Sequence, residues 1–487
     1  MRQKKPNIVF FLSDDQGYYS LGNLHTSELK TPNLDGLAEK GIRFSEFFCA
    51  SPVCSPARAS ILTGCIPSCH GIHDWIRAGN LCPDNFELSQ DIKEKNDYLI
   101  EKNAIPYLEG QITYTDILAR EGYQCALSGK WHLGDSVTPQ HGFTKWFTIG
   151  KGGCSYMAPD IVENGEIIFE KQYVTDLITD KAVGFVQELS KQDNPFYLSV
   201  NYTAPHAPWD ASNHPQKYLD MYGKCEYDKY YPQVEEHPWS TPWSRRQNTK
   251  REESFRGYEA SITAMDEGIG RVIQELKAQG IYENTILIFT SDNGFNMGHH
   301  GFFGKGNGTY PLNVYEESIR VPFIISCPQF THKNIILSGV HSHYDVFPTI
   351  LELADIQYKK TEKQPGNSFV DELEKGINRE GGNTIIFDEY GGTRMIRTTQ
   401  YKYVHRFVDG PHELYDLFND SGEVTNLYGL PEYATIVLQL RKQLFQWFCE
   451  YSLPEKDGTK ESVTGLGQLC KCSYEADQID SFYPRED

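Results

Sequence analysis

Asn7-Ile8-Val9-Phe10-Phe11-Leu12-Ser13-Asp14-Asp15 decides the fold of this chain. A run of five apolar residues, Ile8 to Leu12, closed at once by polar ones, reads as a strand rather than a helix. Similar runs recur at Gln124–Leu127, Pro195–Asn201, Thr285–Thr290 and Val321–Ser326. Between them lie helical patterns near Thr31–Lys40, Tyr114–Glu121, Val174–Ser190, Tyr258–Gln279 and Tyr344–Leu353, the fourth stopped by Gly280. This alternation predicts an α/β fold with a large mixed, mostly parallel sheet flanked by helices. Past about residue 375 the pattern changes to short strands at Thr384–Tyr390, Met395–Thr399 and Tyr401–Phe407 and one amphipathic helix, Tyr433–Tyr451. We therefore expect an α/β domain over 1–375 and an α+β subdomain over 376–487. Two long stretches, 74–113 and 210–256, fit neither pattern, and connections of that length are usually functional loops.

The chain has 487 residues, with 66 Asp plus Glu against 46 Lys plus Arg and a formal net charge of −20. That balance argues against nucleic acid or an anionic membrane as partner, so any anionic ligand must be held by a local cationic site. Nowhere do eighteen apolar residues run together, so no membrane span is expected. The apolar run Ile8–Leu12 is shorter than the core of a secretory signal, which places the chain in the cytoplasm as an expectation, with the periplasm or secretion as the alternative if a leader was removed. Twelve cysteines are too dilute for a disulfide scaffold. Cys65-x-x-x-Cys69 and Cys470-x-Cys472 lack a matching pair at zinc-finger spacing.

The chemistry gathers just after the strands. The first ends in Asp14-Asp15, the second leads into Lys130-Trp131-His132, the third into Pro205-His206, and the fourth into Asp292-Asn293-Gly294. In an open parallel sheet, ligands bind at the carboxyl ends of strands, so these clusters can share one crevice. Asp14, Asp15, Asp292 and Asn293 form a hard-oxygen set suited to calcium or magnesium rather than zinc. Alternatively, each pair is a turn that closes a strand. In Cys54-Ser55-Pro56-Ala57-Arg58-Ala59-Ser60-Ile61-Leu62-Thr63-Gly64, Pro56 belongs in the first turn of a helix that stops at Gly64. Cys54 then sits at a helix N-terminus, where a cysteine is ordinarily a low-pKa thiolate, with Arg58 one turn on. The plain alternative is a capping thiol with a surface arginine.

Cys54-Ser55-Pro56-Ala57-Arg58 resembles the signature of type I sulfatases of the alkaline phosphatase superfamily, in which that cysteine is oxidised after translation to Cα-formylglycine (3-oxoalanine). Pro6–Asp15, Thr31–Asp35, Gly129–Gly134, the His206 segment, and Ser291–Gly294 with Lys305 resemble further motifs of the family in family order. The resemblance implies an alkaline phosphatase-like fold and a sulfuric ester hydrolase. It implies Ca²⁺, with Mg²⁺ as the other hard cation, held by Asp14, Asp15, Asp292, Asn293 and modified Cys54. Hydrated formylglycine would attack sulfur and Arg58 would steady it, with Lys130 and Lys305 on the sulfate oxygens. His206 would protonate the departing alcohol and His132 would remove a proton from the second hydroxyl. Three carboxylates, one dication and three cationic side chains leave about +2 in the cleft, which attracts an anion into a negative protein. The partners implied are a sulfated sugar and a formylglycine-generating maturation enzyme.

Gly298–Gly301 with Gly304–Thr309 resembles bacterial enzymes acting on sulfated carbohydrates. This points to exo-acting removal of O-sulfate from a hexosamine or galactose of glycosaminoglycan or mucin type. Trp75, Arg77 and His300 stand near catalytic positions in sequence and are candidates for substrate contact, with packing as the alternative. Trp209, Tyr227, Tyr230, Tyr231, Trp239 and Trp243 either stack on sugar or pack their loop. The rival functions are an arylsulfatase, a phosphonate or phosphodiester hydrolase of the same superfamily, and a catalytically inactive calcium- and glycan-binding protein with unmodified Cys54.

Overall fold

A computed structural model describes residues 5–22, 28–231, 233–378, 384–472 and 481–485. The main sheet has ten strands: β1 (Asn7–Asp14), β2 (Ile42–Phe44), β3 (Gln124–Gly129), β4 (Phe143–Ile149), β5 (Asp160–Glu163), β6 (Glu166–Phe169), β7 (Phe196–Pro205), β8 (Thr285–Ser291), β9 (Phe323–Ser326) and β10 (Ile335–Leu337). Their order across the sheet is β10-β2-β9-β8-β1-β7-β3-β4-β5-β6. The five central strands, β8 to β4, run parallel, while β9, β5 and β6 pair antiparallel to their inner neighbours. The expected large mixed, mostly parallel sheet flanked by helices is therefore present.

β1 is buried along all eight residues because helices cover both faces of the sheet. The alternation of side chains along the strand divides the core. Ile8, Phe10 and Leu12 face a layer that includes Ile61 of α2 (Cys54–Thr63), Tyr114 and Leu118 of α3 (Tyr114–Arg120) and Phe347 of α6 (Val346–Leu353). Val9 and Phe11 face Leu34 of α1 (Pro32–Glu39), Ile178 of α4 (Val174–Leu189) and Ile262 and Ile269 of α5 (Arg251–Ala278). Helix α5 begins seven residues before the expected Tyr258, at Arg251. Glu252 and Glu253 favour its first turn electrostatically, and Phe255 stacks on Tyr231 at 4.4 Å.

A second sheet of four antiparallel strands follows: β11 (Ile386–Tyr390), β12 (Thr393–Arg397), β13 (Tyr401–Arg406) and β14 (Glu413–Asp416). Leu440, Leu444 and Phe448 of α7 (Ala434–Tyr451) pack on Ile396, Tyr403 and Leu414 of this sheet. Buried charge ties the second sheet to the helical turn at Glu316–Ile319. Lys402, fully buried on β13, pairs with Glu316 at 2.8 Å and Glu423 at 2.7 Å. The long 210–256 stretch is packed onto the body: Trp209, Tyr227 and Tyr231 are core residues against Phe255 and Tyr258.

Candidate functional site

Neighbouring strands deliver the side chains. β1 and β8 run in register, with Ser13 opposite Ser291, so Asp14-Asp15 and Asp292-Asn293 emerge side by side at their carboxyl ends. β7 and β3 lie next in the sheet and end at Pro205 and Gly129, immediately before His206 and Lys130. Helix α2 brings Cys54 from the side; it starts at Cys54 after Val53 and stops at Gly64, which takes the left-handed conformation at φ 65°. Asp15 also has positive φ, 65°, and turns the chain sharply where the strand stops.

The result is a dense cluster of charge. One oxygen each from Asp14, Asp15 and Asp292, together with Cys54 Sγ, lie within 4.8 Å of one another, all buried. Lys130 Nζ reaches Asp14 Oδ2 at 2.5 Å and Lys305 Nζ reaches Asp15 Oδ1 at 2.5 Å. Arg58 donates from Nε to Asp292 Oδ2 at 2.8 Å and from Nη1 to the Lys130 carbonyl at 3.0 Å, and its Nη2 forms an ion pair with the same Asp292 oxygen at 2.8 Å. Asn293 donates to Asp15 Oδ1 at 2.8 Å, while its buried carbonyl oxygen has no hydrogen-bond partner among the described residues. An orphaned buried acceptor beside three carboxylates fits a hard divalent cation, which takes oxygen ligands of this kind.

The Cys54 thiol differs from the expectation at a helix N-terminus. Burial, with the Asp14 charge behind it, pushes its pKa far up, outweighing Lys130 and Lys305. It stands as a neutral thiol that donates to Asp14 Oδ1 at 3.3 Å and accepts from Lys305 Nζ at 2.7 Å. Burial also opposes ionisation of Asp14, but Lys130, with His206, Arg58 and Lys305, prevails and holds it well below the usual carboxylate range.

The two histidines occupy different environments. His132 is buried, with φ 55°, and its Nε2 lies 3.0 Å from the Ile76 carbonyl. A carbonyl only accepts, so Nε2 carries the proton and Nδ1 is the acceptor; Nδ1 is buried and has no partner among the described residues. Burial, then Lys130 and Arg58, lowers its pKa well below 6.5, so the ring is neutral at pH 7. A Cβ on Gly152 would come within 2.1 Å of His132 Nε2, so the backbone of this Gly-Gly loop lies directly on the imidazole. His206 is more open, with 31% of its side chain exposed; Nδ1 donates to the Ala207 carbonyl at 2.6 Å, and Nε2 lies 3.7 Å from Asp15 Oδ2.

Cys54, Arg58, Lys130, Lys305, Asp14, Asp15, Asp292 and Asn293 thus form one cluster, His206 borders it at Asp15, and Lys130 and Arg58 act on His132. The three substrate candidates have other contacts. Trp75 donates from Nε1 to the Gly465 carbonyl at 3.2 Å, and Arg77 donates to the Leu466 carbonyl and lies 3.7 Å over the Tyr483 ring. His300 stacks on Tyr315 at 4.0 Å and pairs with Glu317 at 2.8 Å, which raises its pKa against the pull of burial. Sequence reading passed over Gly152, Tyr390 and Gln468. Tyr390 donates to Asp74 at 2.5 Å and packs beneath Gly306, beside Lys305. Only the doubled glycine at 152–153, directly beyond a strand, carried a visible signal.

Comparison with known proteins gives a consistent result. Residues 6–356 match the family described as Sulfatase, and residues 298–449 match N-sulphoglucosamine sulphohydrolase, C-terminal. The chain is 27% identical to an N-acetylglucosamine-6-O-sulfatase of Bacteroides thetaiotaomicron over 95% of its length and 90% of that protein. It is 30% identical to an ulvan-active sulfatase of Formosa agariphila, covering 90% of this chain and 80% of that one. A solved structure in complex with its substrate D-glucosamine-2-N,6-O-disulfate superposes with a TM-score of 0.72 at 25% identity, covering 92% of this chain and 98% of that one.

Proposed function

Because the chain belongs to the sulfatase family, whose members are sulfuric ester hydrolases, we propose that it removes O-sulfate from a carbohydrate. On this reading it is exo-acting on a sulfated hexosamine or galactose of glycosaminoglycan or mucin type. Cys54 serves as formylglycine, and Ca²⁺ is held by Asp14, Asp15, Asp292, Asn293 and position 54. The observation that carries the reading is the buried cluster of three carboxylates and an orphaned amide oxygen around Cys54, flanked by Lys130, Lys305 and Arg58. The sugar assignment is supported by relatives named for N-acetylglucosamine 6-sulfate and ulvan, and by the neighbour bound to a glucosamine disulfate.

When bound, the cation supplies a Lewis acid and the formylglycine a hydroxyl nucleophile. The other groups act with their own geometry. Lys130 and Lys305 meet the sulfate oxygens as point charges in a water-poor pocket, where such contacts are strongest. Arg58, fixed on Asp292 and on the Lys130 carbonyl, keeps the acid ligand and the lysine in register. His206, at the open edge with Nε2 turned to the acid cluster, donates a proton to the leaving sugar oxygen. His132, neutral and locked as the Nε2–H tautomer, accepts a proton at Nδ1.

Turnover of position-defined sulfated sugars, alongside their phosphate counterparts, by protein whose Cys54 conversion is verified by intact mass tests this reading. Release of sulfate from at least one sugar, abolished by chelation and restored by Ca²⁺, is expected. Preference for the phosphate esters would replace it with a phosphohydrolase, and full activity after chelation would remove the metal.

A further inference from the structure

The C-terminal segment crosses the stretch that follows the Cys54 helix, and one fully buried side chain, Gln468, holds the crossing. Its backbone pairs in parallel with Ile76. Gln468 N donates to the Trp75 carbonyl at 2.8 Å, and Arg77 N donates to the Gln468 carbonyl at 2.9 Å. Its side chain grips the same stretch again. Oε1 accepts from the backbone N–H of His73 at 2.9 Å and of Asp74 at 3.4 Å. Nε2 donates to the Gly71 carbonyl at 3.2 Å and the Cys470 carbonyl at 3.0 Å. Ile76, in the middle of this grip, donates its N–H to Ser55 Oγ at 3.0 Å and offers its carbonyl to His132 Nε2 at 3.0 Å.

We propose that Gln468 is a positioning residue for His132. By fixing residues 71–78 from both sides, it holds the Ile76 carbonyl where that carbonyl selects the Nε2–H tautomer and leaves Nδ1 as the acceptor. This role rests on the reading of His132 as the proton acceptor in sulfate ester hydrolysis. A purely structural contact would not be expected to bear on one imidazole, whereas this one does so through a single intervening carbonyl.

The test compares Gln468→Ala with Thr464→Val, which loosens the same segment elsewhere, since Thr464 Oγ1 bonds the Tyr483 carbonyl. Both are compared with wild type at equal Cys54 conversion. Gln468→Ala is expected to lower kcat on the order of tenfold to a hundredfold with KM within about twofold, as misplacement of a catalytic group does; Thr464→Val retains kcat. Nitrogen-15 histidine spectra, with the His132 signal assigned by its loss in His132→Asn, read the tautomer without turnover. A fixed Nε2–H pattern is expected in wild type and Thr464→Val, with averaging between tautomers in Gln468→Ala. An unchanged His132 signal in Gln468→Ala, or an equal kcat loss in both variants, overturns the proposal. A wild type that hydrolyses no ester counts against the hydrolase reading alone, because the spectra still decide the role of Gln468.

Discussion

Gly152 shows how narrowly one residue can be constrained. Its missing side chain leaves room for the His132 ring, which is already tied to Ile76, so an added methyl must displace one or the other. Gly152→Ala is expected to lower kcat by roughly tenfold or more, the scale of a displaced acid–base group, while the melting temperature changes little. Steady-state kinetics beside a thermal melt will check this, and wild-type kcat in the variant would mean that the loop yields instead. The sequence made Cys54 legible as special through its place before Pro56 and Arg58, but suggested a thiolate. The opposite shift comes from burial and then from Asp14, forty residues earlier. Neither is encoded near Cys54, and so neither is read locally.

Among the elements, the second sheet is held by buried charges outside it, on the turn at Glu316 and in the loop at Glu423. Lys402 is the hub, with Glu316 and Glu423 on it and no water-facing surface. Removing one member of a buried ionic cluster leaves the others uncompensated, at about 3–5 kcal/mol. Lys402→Met should therefore lower the free energy of unfolding by an amount of that order, and equilibrium denaturation measures it. Five of the ten main-sheet strands, β1, β3, β7, β8 and β9, and the helices that cover them were legible because each has a sustained apolar period. β14 (Glu413–Asp416) was not: four residues with two acids carry no such period, and the strand exists because β13 offers it a register. The start of α5 was misread for a related reason, since five of its first seven residues are polar and Phe255 is the one large apolar side chain among them.

Over the whole molecule, buried histidines give stability an acid limit. His73 and His214 are each pushed down to about 4, chiefly by burial, whereas in the unfolded chain they titrate near 6.5. Between 6.5 and 4 the unfolded chain binds protons that the fold refuses, so stability falls as pH drops through that window, by roughly 1–2 kcal/mol per histidine at pH 5. His341 acts in the other direction. Burial opposes its charge, but Asp345 and Glu372 raise it to about 9, so its contribution is complete below 6.5 and is lost as pH rises through 9. Urea midpoints at pH 5, 7 and 9.5 are expected to peak at the middle value, and a midpoint at pH 5 equal to that at pH 7 would show that His73 and His214 are protonated inside the fold. The crossing at Gln468 also has a consequence in time. Cys54 leaves the ribosome roughly 20–80 s before Gln468 at ordinary synthesis rates. During that interval the stretch beside Cys54 lacks the strand that clamps it, and the thiol, only 2% exposed in the finished protein, has yet to be enclosed by residues that follow it, Lys305 among them.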